Sequence, residues 1–174
     1  MNELIEAFPP IISGNPHTLI LGTMPGGKSL QANQYYAHPQ NQFWKLMGDI
    51  YGAGLSVPYN ERLQILKDKG VAVWDVVSAC IRKGSMDSEI KKEVPNNFEE
   101  FYNNYPSIKL VVFDSLTAEK IYNRRVLSNL TKELKYMRVP SPSPANARMS
   151  YAAKLALWSE VLNVQDRITS PVQL

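Results

Sequence analysis

The chain has 174 residues, 44% of them hydrophobic and 20% charged, which is enough for one domain with a full hydrophobic core. A net charge of +3 permits a nucleic-acid partner without demonstrating one. No apolar run approaches the roughly 20 residues of a membrane helix, and the N-terminus does not read as a secretory signal. With Cys80 as the single cysteine, an internal disulfide and a cysteine-ligated cluster are excluded, and a zinc site is disfavoured. We therefore expect an intracellular, cytoplasmic protein.

Four short apolar runs predict strands, at residues 18–21, 71–74, 110–113 and 135–139. The first three lack strict alternation of apolar and polar residues, which is typical of central strands in a parallel sheet. The fourth run alternates, so we expect it to be less covered.

Helical patterns separate these strands. They occupy residues 43–51, a stretch from Asn60 to near Gly70, and residues 98–105, 116–125 and 151–162. The last four have a predicted capping residue, in order Asn60, Asn97, Ser115 and Ser150. Alternation of strands with helices predicts an α/β layered sandwich with a mostly parallel sheet. We expect a single domain over residues 1–163 and a loose tail over 164–174, where periodicity is lost.

In such folds, ligands bind beyond the carboxyl ends of the strands. Those ends are Gly22, Asp75, Asp114 and the Pro140 segment. Two long polar loops, residues 22–42 and 140–149, are therefore predicted to meet at one edge of the sheet.

One interpretation of the first loop is a phosphate-binding site. Residues 22–29 fit the pattern G-x-x-x-x-G-K-[ST], and a hydrophobic strand ending in Asp114 resembles the magnesium-binding strand of nucleotide hydrolases. Two features oppose it: the chain allows at most about two helical turns after Ser29, and Pro25 removes an amide donor from the loop. A nucleotide hydrolase is the less favoured alternative.

Three segments found in order carry a resemblance to a known family. They are residues 22–26 with 29–30 and 35–44, residues 70–77 with 82–87, and residues 140–148. Together they resemble the uracil-DNA glycosylase superfamily, and most of all its hypoxanthine-DNA (deoxyinosine) glycosylase branch. The resemblance implies a three-layer α/β/α sandwich with a four-stranded, mostly parallel central sheet.

The implied activity is hydrolysis of the N-glycosidic bond of a deaminated base flipped out of DNA, which leaves an abasic site. Hypoxanthine is the implied preference, with uracil or xanthine as further substrates. The resemblance implies a monomer that acts on DNA without a metal or cofactor. A uracil or mismatch-specific glycosylase on the same fold is the alternative, but it carries Asn where this chain has Met24. An inert relative that only binds remains a further alternative.

The resemblance implies Asn41 as the catalytic residue, because its carboxamide would hold water against the sugar. An Asn before an apolar helix is also a common capping residue. Tyr36 would stack on the flipped base, or else pack in the core beside Tyr35.

The other implied base contacts are Met24, Pro25, Gly26, Phe43 and Asp75. Asp75 would polarise or protonate the leaving purine, or only cap a turn. The implied DNA contacts are Lys28, Ser29, Ser143, Pro144, Asn146 and Arg148. One departure stands out: Asp114-Ser115 occupies the place of an expected Asn-Gly pair, and brings a negative charge if that loop approaches DNA.

Overall fold

The computed structural model describes residues 3–169, and side chains are described for residues 3–163. Its strands are β1 (Leu4–Glu6), β2 (Thr18–Gly22), β3 (Val71–Asp75), β4 (Val77–Ile81), β5 (Lys91–Pro95), β6 (Leu110–Phe113) and β7 (Lys135–Arg138). Its helices are α1 (Gly27–Ala32), α2 (Phe43–Tyr51), α3 (Tyr59–Asp68), α4 (Phe98–Asn104), α5 (Leu116–Arg125) and α6 (Tyr151–Thr169).

The four strands predicted from the apolar runs form one sheet, in the order β3-β2-β6-β7, and every pair is parallel. All residues of β2 and β6 are buried, as expected for central strands that helices cover on both faces. The last strand lies at the sheet edge, and Lys135 and Arg138 are exposed at its two ends. The expectation that this strand is less covered is confirmed.

Successive residues of β2 point to opposite faces of the sheet, so the strand contributes to two cores. Ile20 packs in a cluster with Trp44 of α2 and Trp158 of α6. Leu19 and Leu21 belong to a second cluster, which contains residues of α4 and α5. The sheet therefore has helices on both sides, and the predicted three-layer α/β/α sandwich is confirmed.

A second sheet was not predicted. It has three antiparallel strands in the order β1-β4-β5. Its sequence signal is weak, because β5 is rich in charge, β1 has three residues, and only Val76 separates β4 from β3. This sheet carries residues 82–90 back toward the carboxyl end of β3.

The predicted caps of α4, α5 and α6 are confirmed, since Asn97, Ser115 and Ser150 each accept a hydrogen bond from an amide three residues later. The prediction for α3 is wrong, because Pro58 rather than Asn60 precedes its first turn. Asn60 lies inside the first turn and so cannot be its N-cap.

The loose tail requires a correction as well. Helix α6 continues to Thr169, so the backbone of residues 164–169 is helical, while residues 170–174 lie outside the described part of the chain. Within residues 3–169, none of the helices is long and apolar enough to span a membrane.

Replacing Asn97 with Ala should lower the free energy of unfolding by about 1 kcal/mol, because the first turn of α4 loses its cap. Asn97 accepts from the Glu100 amide and donates to the Glu100 carboxylate. Chemical denaturation measures the change. Asn103→Ala, an identical exchange at an exposed position inside the same helix, is the control. Equal losses in the two variants would contradict the capping role.

Candidate active site

A cavity of about 750 Å³ opens at the carboxyl ends of β2, β3 and β6. It lies where the strand order predicts a ligand site, and its volume suits one small organic group such as a nucleobase with its sugar. Five segments contribute to its lining: residues 22–29, residues 35–38, residues 85–88, residues 114–117 at the start of α5, and residues 141–146. The two polar loops singled out from the sequence therefore do meet at one edge of the sheet.

Sheet register places two aspartates at the floor of this cavity. Gly22 pairs with Asp75, and Leu21 pairs with Phe113, so that Asp114 follows directly on the other side of Gly22. A Cβ atom built on Gly22 would lie 2.7 Å from Oδ1 of Asp75 and 3.2 Å from Oδ2 of Asp114. The two carboxyl groups thus approach the same point above Gly22, and only glycine leaves room for both.

Burial sets the protonation of these two groups. Asp75 is 5% exposed, and its Oδ2 has no hydrogen-bond partner. Burial raises the pKa of Asp75 well above its usual range, the nearby Asp114 and Asp87 raise it further, and Arg82 partly opposes them. Asp114 is 7% exposed, and burial raises its pKa to about 7 although the hydrogen bond from Tyr36 lowers it. At neutral pH the pair therefore cannot be fully ionised.

Tyr36 lines the cavity, and its hydroxyl donates a hydrogen bond of 2.7 Å to Oδ2 of Asp114. Its backbone has a positive φ of 54°, which turns the ring out of the loop toward the strand ends. Burial raises the pKa of the Tyr36 hydroxyl well above its ordinary value, so this group remains a donor.

The prediction that Phe43 contacts a base is corrected. Phe43 has no exposed surface and is not among the lining residues. Its ring stacks on Tyr36, with centroids 3.8 Å apart and an angle of 17° between the planes. Phe43 therefore supports Tyr36 from behind, and a base can reach only the other face or the edge of Tyr36.

Asn41 lies beside the cavity and not in its lining. Its Oδ1 accepts a hydrogen bond of 2.9 Å from the Phe43 amide, which corresponds to the capping role that the sequence also allowed. The flanking backbone joins two walls of the cavity: the Asn41 amide donates to the carbonyl of His38, and the Gln42 amide donates to that of Pro142.

Residues 82–85 hydrogen-bond to the glycine-rich loop of residues 22–29. Arg82, which is buried, donates to the carbonyl oxygens of Pro25 and Gly84. The Gly27 amide donates to the Ser85 hydroxyl. Met24, Pro25 and Gly26 all line the cavity, but Pro25 has no amide hydrogen, so base-binding amides can come only from the other two.

Lys28 is exposed at the rim of the cavity. Ser29 is buried in the lining of the same cavity, and its hydroxyl accepts from the Ala37 amide, so the DNA contact expected from Ser29 stays a prediction. The helix that follows the loop has only six residues, as the argument against a phosphate-binding loop anticipated.

Of the four predicted DNA contacts in the third segment, Ser143, Pro144 and Asn146 line the cavity. Arg148 is exposed and lies outside the lining.

Sequence reasoning missed Lys154 of α6, which is 2% exposed and hydrogen-bonds to the loop of residues 140–148. Its ammonium group donates to Oε1 of Gln42 and to the backbone carbonyl of Asn146. A lysine within the apolar stripe that contains Tyr151 and Trp158 was the available signal.

Asp87 was also missed. It lines the same cavity, and burial raises the pKa of its carboxyl, although a hydrogen bond from Thr23 and the charge of Arg82 lower it. Three carboxyl groups therefore surround the cavity floor. Among the described residues, no group of three or more His, Cys, Asp or Glu side chains is arranged to hold a metal ion.

Fold and site define an α/β/α sandwich with a deep ligand cavity at the carboxyl ends of its parallel strands. Residues 9–162 match the family model of the Uracil DNA glycosylase superfamily. This protein belongs to the uracil DNA glycosylase superfamily, and the resemblance drawn from the sequence is confirmed.

Individual relatives agree with the family assignment. The chain is 38% identical to a hypoxanthine DNA glycosylase of Methanosarcina barkeri, over 89% of this chain and 96% of the relative. It is 35% identical to a hypoxanthine DNA glycosylase of Methanosarcina acetivorans, over 83% and 90% of the two chains. A solution NMR structure from M. acetivorans, provisionally assigned as a uracil DNA glycosylase, superposes with a TM-score of 0.79 at 30% identity, and covers 94% of this chain and 99% of that one.

Replacing Lys154 with Met keeps the apolar stem and removes both hydrogen bonds to Gln42 and Asn146. The amides of residues 143–148 should then exchange with solvent roughly tenfold faster, because local opening no longer breaks those bonds. Hydrogen-exchange mass spectrometry measures this. Lys120→Met, at an exposed position of α5, should leave the same amides unchanged. Unaltered exchange in Lys154→Met would show that Lys154 does not hold the segment.

Proposed function

We propose that this protein is a monofunctional DNA glycosylase that releases hypoxanthine from DNA and leaves an abasic site, with uracil or xanthine as further substrates. The observation that carries the proposal is identity of 38% and 35% to two hypoxanthine DNA glycosylases, over 96% and 90% of their lengths. We further propose that it acts as a monomer on DNA in the cytoplasm.

The cavity suits a nucleotide that has left the helix. The anomeric carbon is inaccessible inside the base stack, so the nucleotide must be extruded, at a cost of a few kcal/mol that is smallest at a mispair. A volume of about 750 Å³ accommodates a base and its sugar. Deaminated bases form mispairs, and selection among bases therefore begins before the cavity is reached.

Four groups are proposed to hold the extruded base. The ring of Tyr36 offers a stacking surface, which is worth about 1–3 kcal/mol per base. The amides of Met24 and Gly26 can donate to a base carbonyl. Asp75 faces the same space from the floor and, when protonated, can polarise the leaving purine.

Asn41 is proposed to position the attacking water. A carboxamide oxygen has two lone pairs, so Oδ1 can accept from the Phe43 amide and from a water at the same time. The water would be held next to the wall formed by His38 and the Pro142 segment. A carboxamide is a poor base, and its contribution would be orientation of water toward an oxocarbenium-like sugar.

DNA is proposed to lie across the cavity mouth. Lys28 and Arg148, both exposed, would contact phosphates, and Ser143 and Asn146 would donate from the loop that Lys154 braces. With a net charge of only +3, phosphate contacts should be few and the salt dependence of binding modest.

A uracil or mismatch-specific glycosylase is the second candidate. A G/U mismatch-specific uracil DNA glycosylase of Schizosaccharomyces pombe is 24% identical over 74% of this chain, although only 41% of that protein is covered. Met24 opposes this candidate, because a thioether cannot orient water as an Asn side chain can.

An alkali-cleavage assay on oligonucleotides that carry one hypoxanthine or one uracil tests the proposal. We expect strand cleavage at hypoxanthine, in the presence of EDTA and only after alkali, because a glycosylase leaves an intact abasic backbone. An adenine-containing duplex of the same sequence is the control. Faster cleavage at uracil than at hypoxanthine would favour the second candidate, and no cleavage at either base would exclude both.

Variants of Asn41 separate catalysis from capping. Asn41→Ala should lower single-turnover base release by about 100-fold or more, because the water loses its positioning group. Asn41→Ser preserves an acceptor for the Phe43 amide but lacks the carboxamide, so it should retain stability and still lose activity. Thermal unfolding and base release are measured on both variants. An unchanged rate in either one would exclude Asn41 as the catalytic residue.

A further inference from the structure

The floor of the cavity contains a polar atom that nothing in the protein satisfies. Oδ2 of Asp75 is buried and has no hydrogen-bond partner, although Asp75 lines the cavity. Buried polar atoms are almost always paired, so an unpaired one on a residue that lines a cavity points to a ligand that supplies the partner. Asp114 lines the same cavity on the other side of Gly22.

The side chains of four other residues face this pair, and they favour different protonation states for the two acids. The Asp114 carboxyl accepts from the Tyr36 hydroxyl and is stabilised by a further hydrogen bond from Ser115. Asp75 faces the carboxyl groups of Asp114 and Asp87, and Arg82 is the cation that offsets them. Two neighbouring buried carboxyls ionise in separate steps. Asp75 is accordingly the one that retains its proton, and Asp114 the one that ionises first.

We propose that Asp75 and Asp114 hold one proton between them and together recognise the O=C–N–H edge that deamination creates in a base. The Asp75 hydroxyl donates to the base carbonyl, and the Asp114 carboxylate accepts from the adjacent ring N–H. A carboxylate has about four acceptor sites, so Asp114 can accept from Tyr36 and from the base together. This inference rests on the proposed glycosylase function and adds the group that recognises the substrate.

The hydrogen-bonding pattern determines which bases such a pair can bind and which it excludes. Hypoxanthine, uracil and xanthine all present a carbonyl acceptor beside a ring N–H donor. Adenine and cytosine present the reverse, an amino donor beside a ring-nitrogen acceptor, and would place donor against donor and acceptor against acceptor. Guanine and thymine share the O=C–N–H edge, so the pair distinguishes a deaminated base from its amino parent and not from every normal base.

The pair also predicts a bell-shaped pH dependence of base release. Asp114 must be ionised to accept, so activity should rise as pH increases through about 7. Asp75 must be protonated to donate, so activity should fall at higher pH, where that proton is lost. Removal of the Asp87 charge lowers the pKa of both acids, so Asp87→Asn should shift both limbs to lower pH without removing either.

Single-turnover release of hypoxanthine, measured from pH 5 to pH 10, tests the two assignments separately. Asp75→Asn keeps an N–H donor that never ionises, so the alkaline limb should disappear while the optimum rate stays within about tenfold of wild type. Asp114→Asn leaves one acceptor oxygen in place of two, so the Tyr36 hydroxyl and the ring N–H compete for it and the acid limb should disappear while the rate falls by about 100-fold. Retention of both limbs in both variants, while wild type remains active, would overturn the proposal.

A second measurement does not depend on activity. The folded-state pKa of Asp114, about 7, lies above the ordinary value of an unfolded Asp, so the folded protein binds more protons between those values. Wild-type melting temperature should therefore decline as pH rises from about 4 to about 7. Asp114→Asn should flatten this decline, whereas Asp68→Asn, an exposed acid on α3, should not.

The two measurements distinguish failure of the inference from failure of the proposed function. If wild type releases no base but Asp114→Asn flattens the melting profile, the shared proton is supported and the glycosylase assignment fails. If wild type releases hypoxanthine and neither variant changes the pH profile or the melting profile, the glycosylase assignment stands and recognition by the carboxyl pair is overturned.

Discussion

The parallel pairing of β2 with both β3 and β6 is the constraint on which the site depends. Register fixes Gly22 beside Asp75, and it brings Asp114 to the other side of the same residue. Fully buried apolar runs hold that register, because a slip of one residue would turn every side chain of β2 to the wrong layer. Hydrophobic packing of the core thus holds two acids near each other in a place where neither ionises easily.

Loops add the remaining groups, and their contacts are mostly with each other. Tyr36 contacts Asp114 through its hydroxyl and Phe43 through its ring, so one side chain connects the floor of the cavity to α2. Lys154 connects the start of α2 to the loop after β7. The buried acids and the buried lysine each oppose folding to some degree, and the two large apolar clusters compensate for them. Hydrophobic packing of the sandwich therefore offsets the free-energy cost of burying these acids and Lys154 at the site.

Local pattern was enough to predict the central strands, most helix bounds and the edge where the loops meet. It failed where the signal was not local. The antiparallel sheet was missed because β5 is as charged as a loop. The resemblance implied Phe43 as a base contact, yet its ring lies behind Tyr36. The significance of Asp114 depends on a neighbour 39 positions earlier in the chain, and only sheet register reveals that.

Gly22 has a consequence for how sequences of this fold can diverge. Any side chain at this position would meet Oδ1 of Asp75 and Oδ2 of Asp114, both buried with little space to move away. A lineage can therefore acquire a Cβ at position 22 only after one of the acids has been lost or displaced. Glycine should therefore persist at this position wherever both neighbouring strand ends carry a side chain of this size and direction.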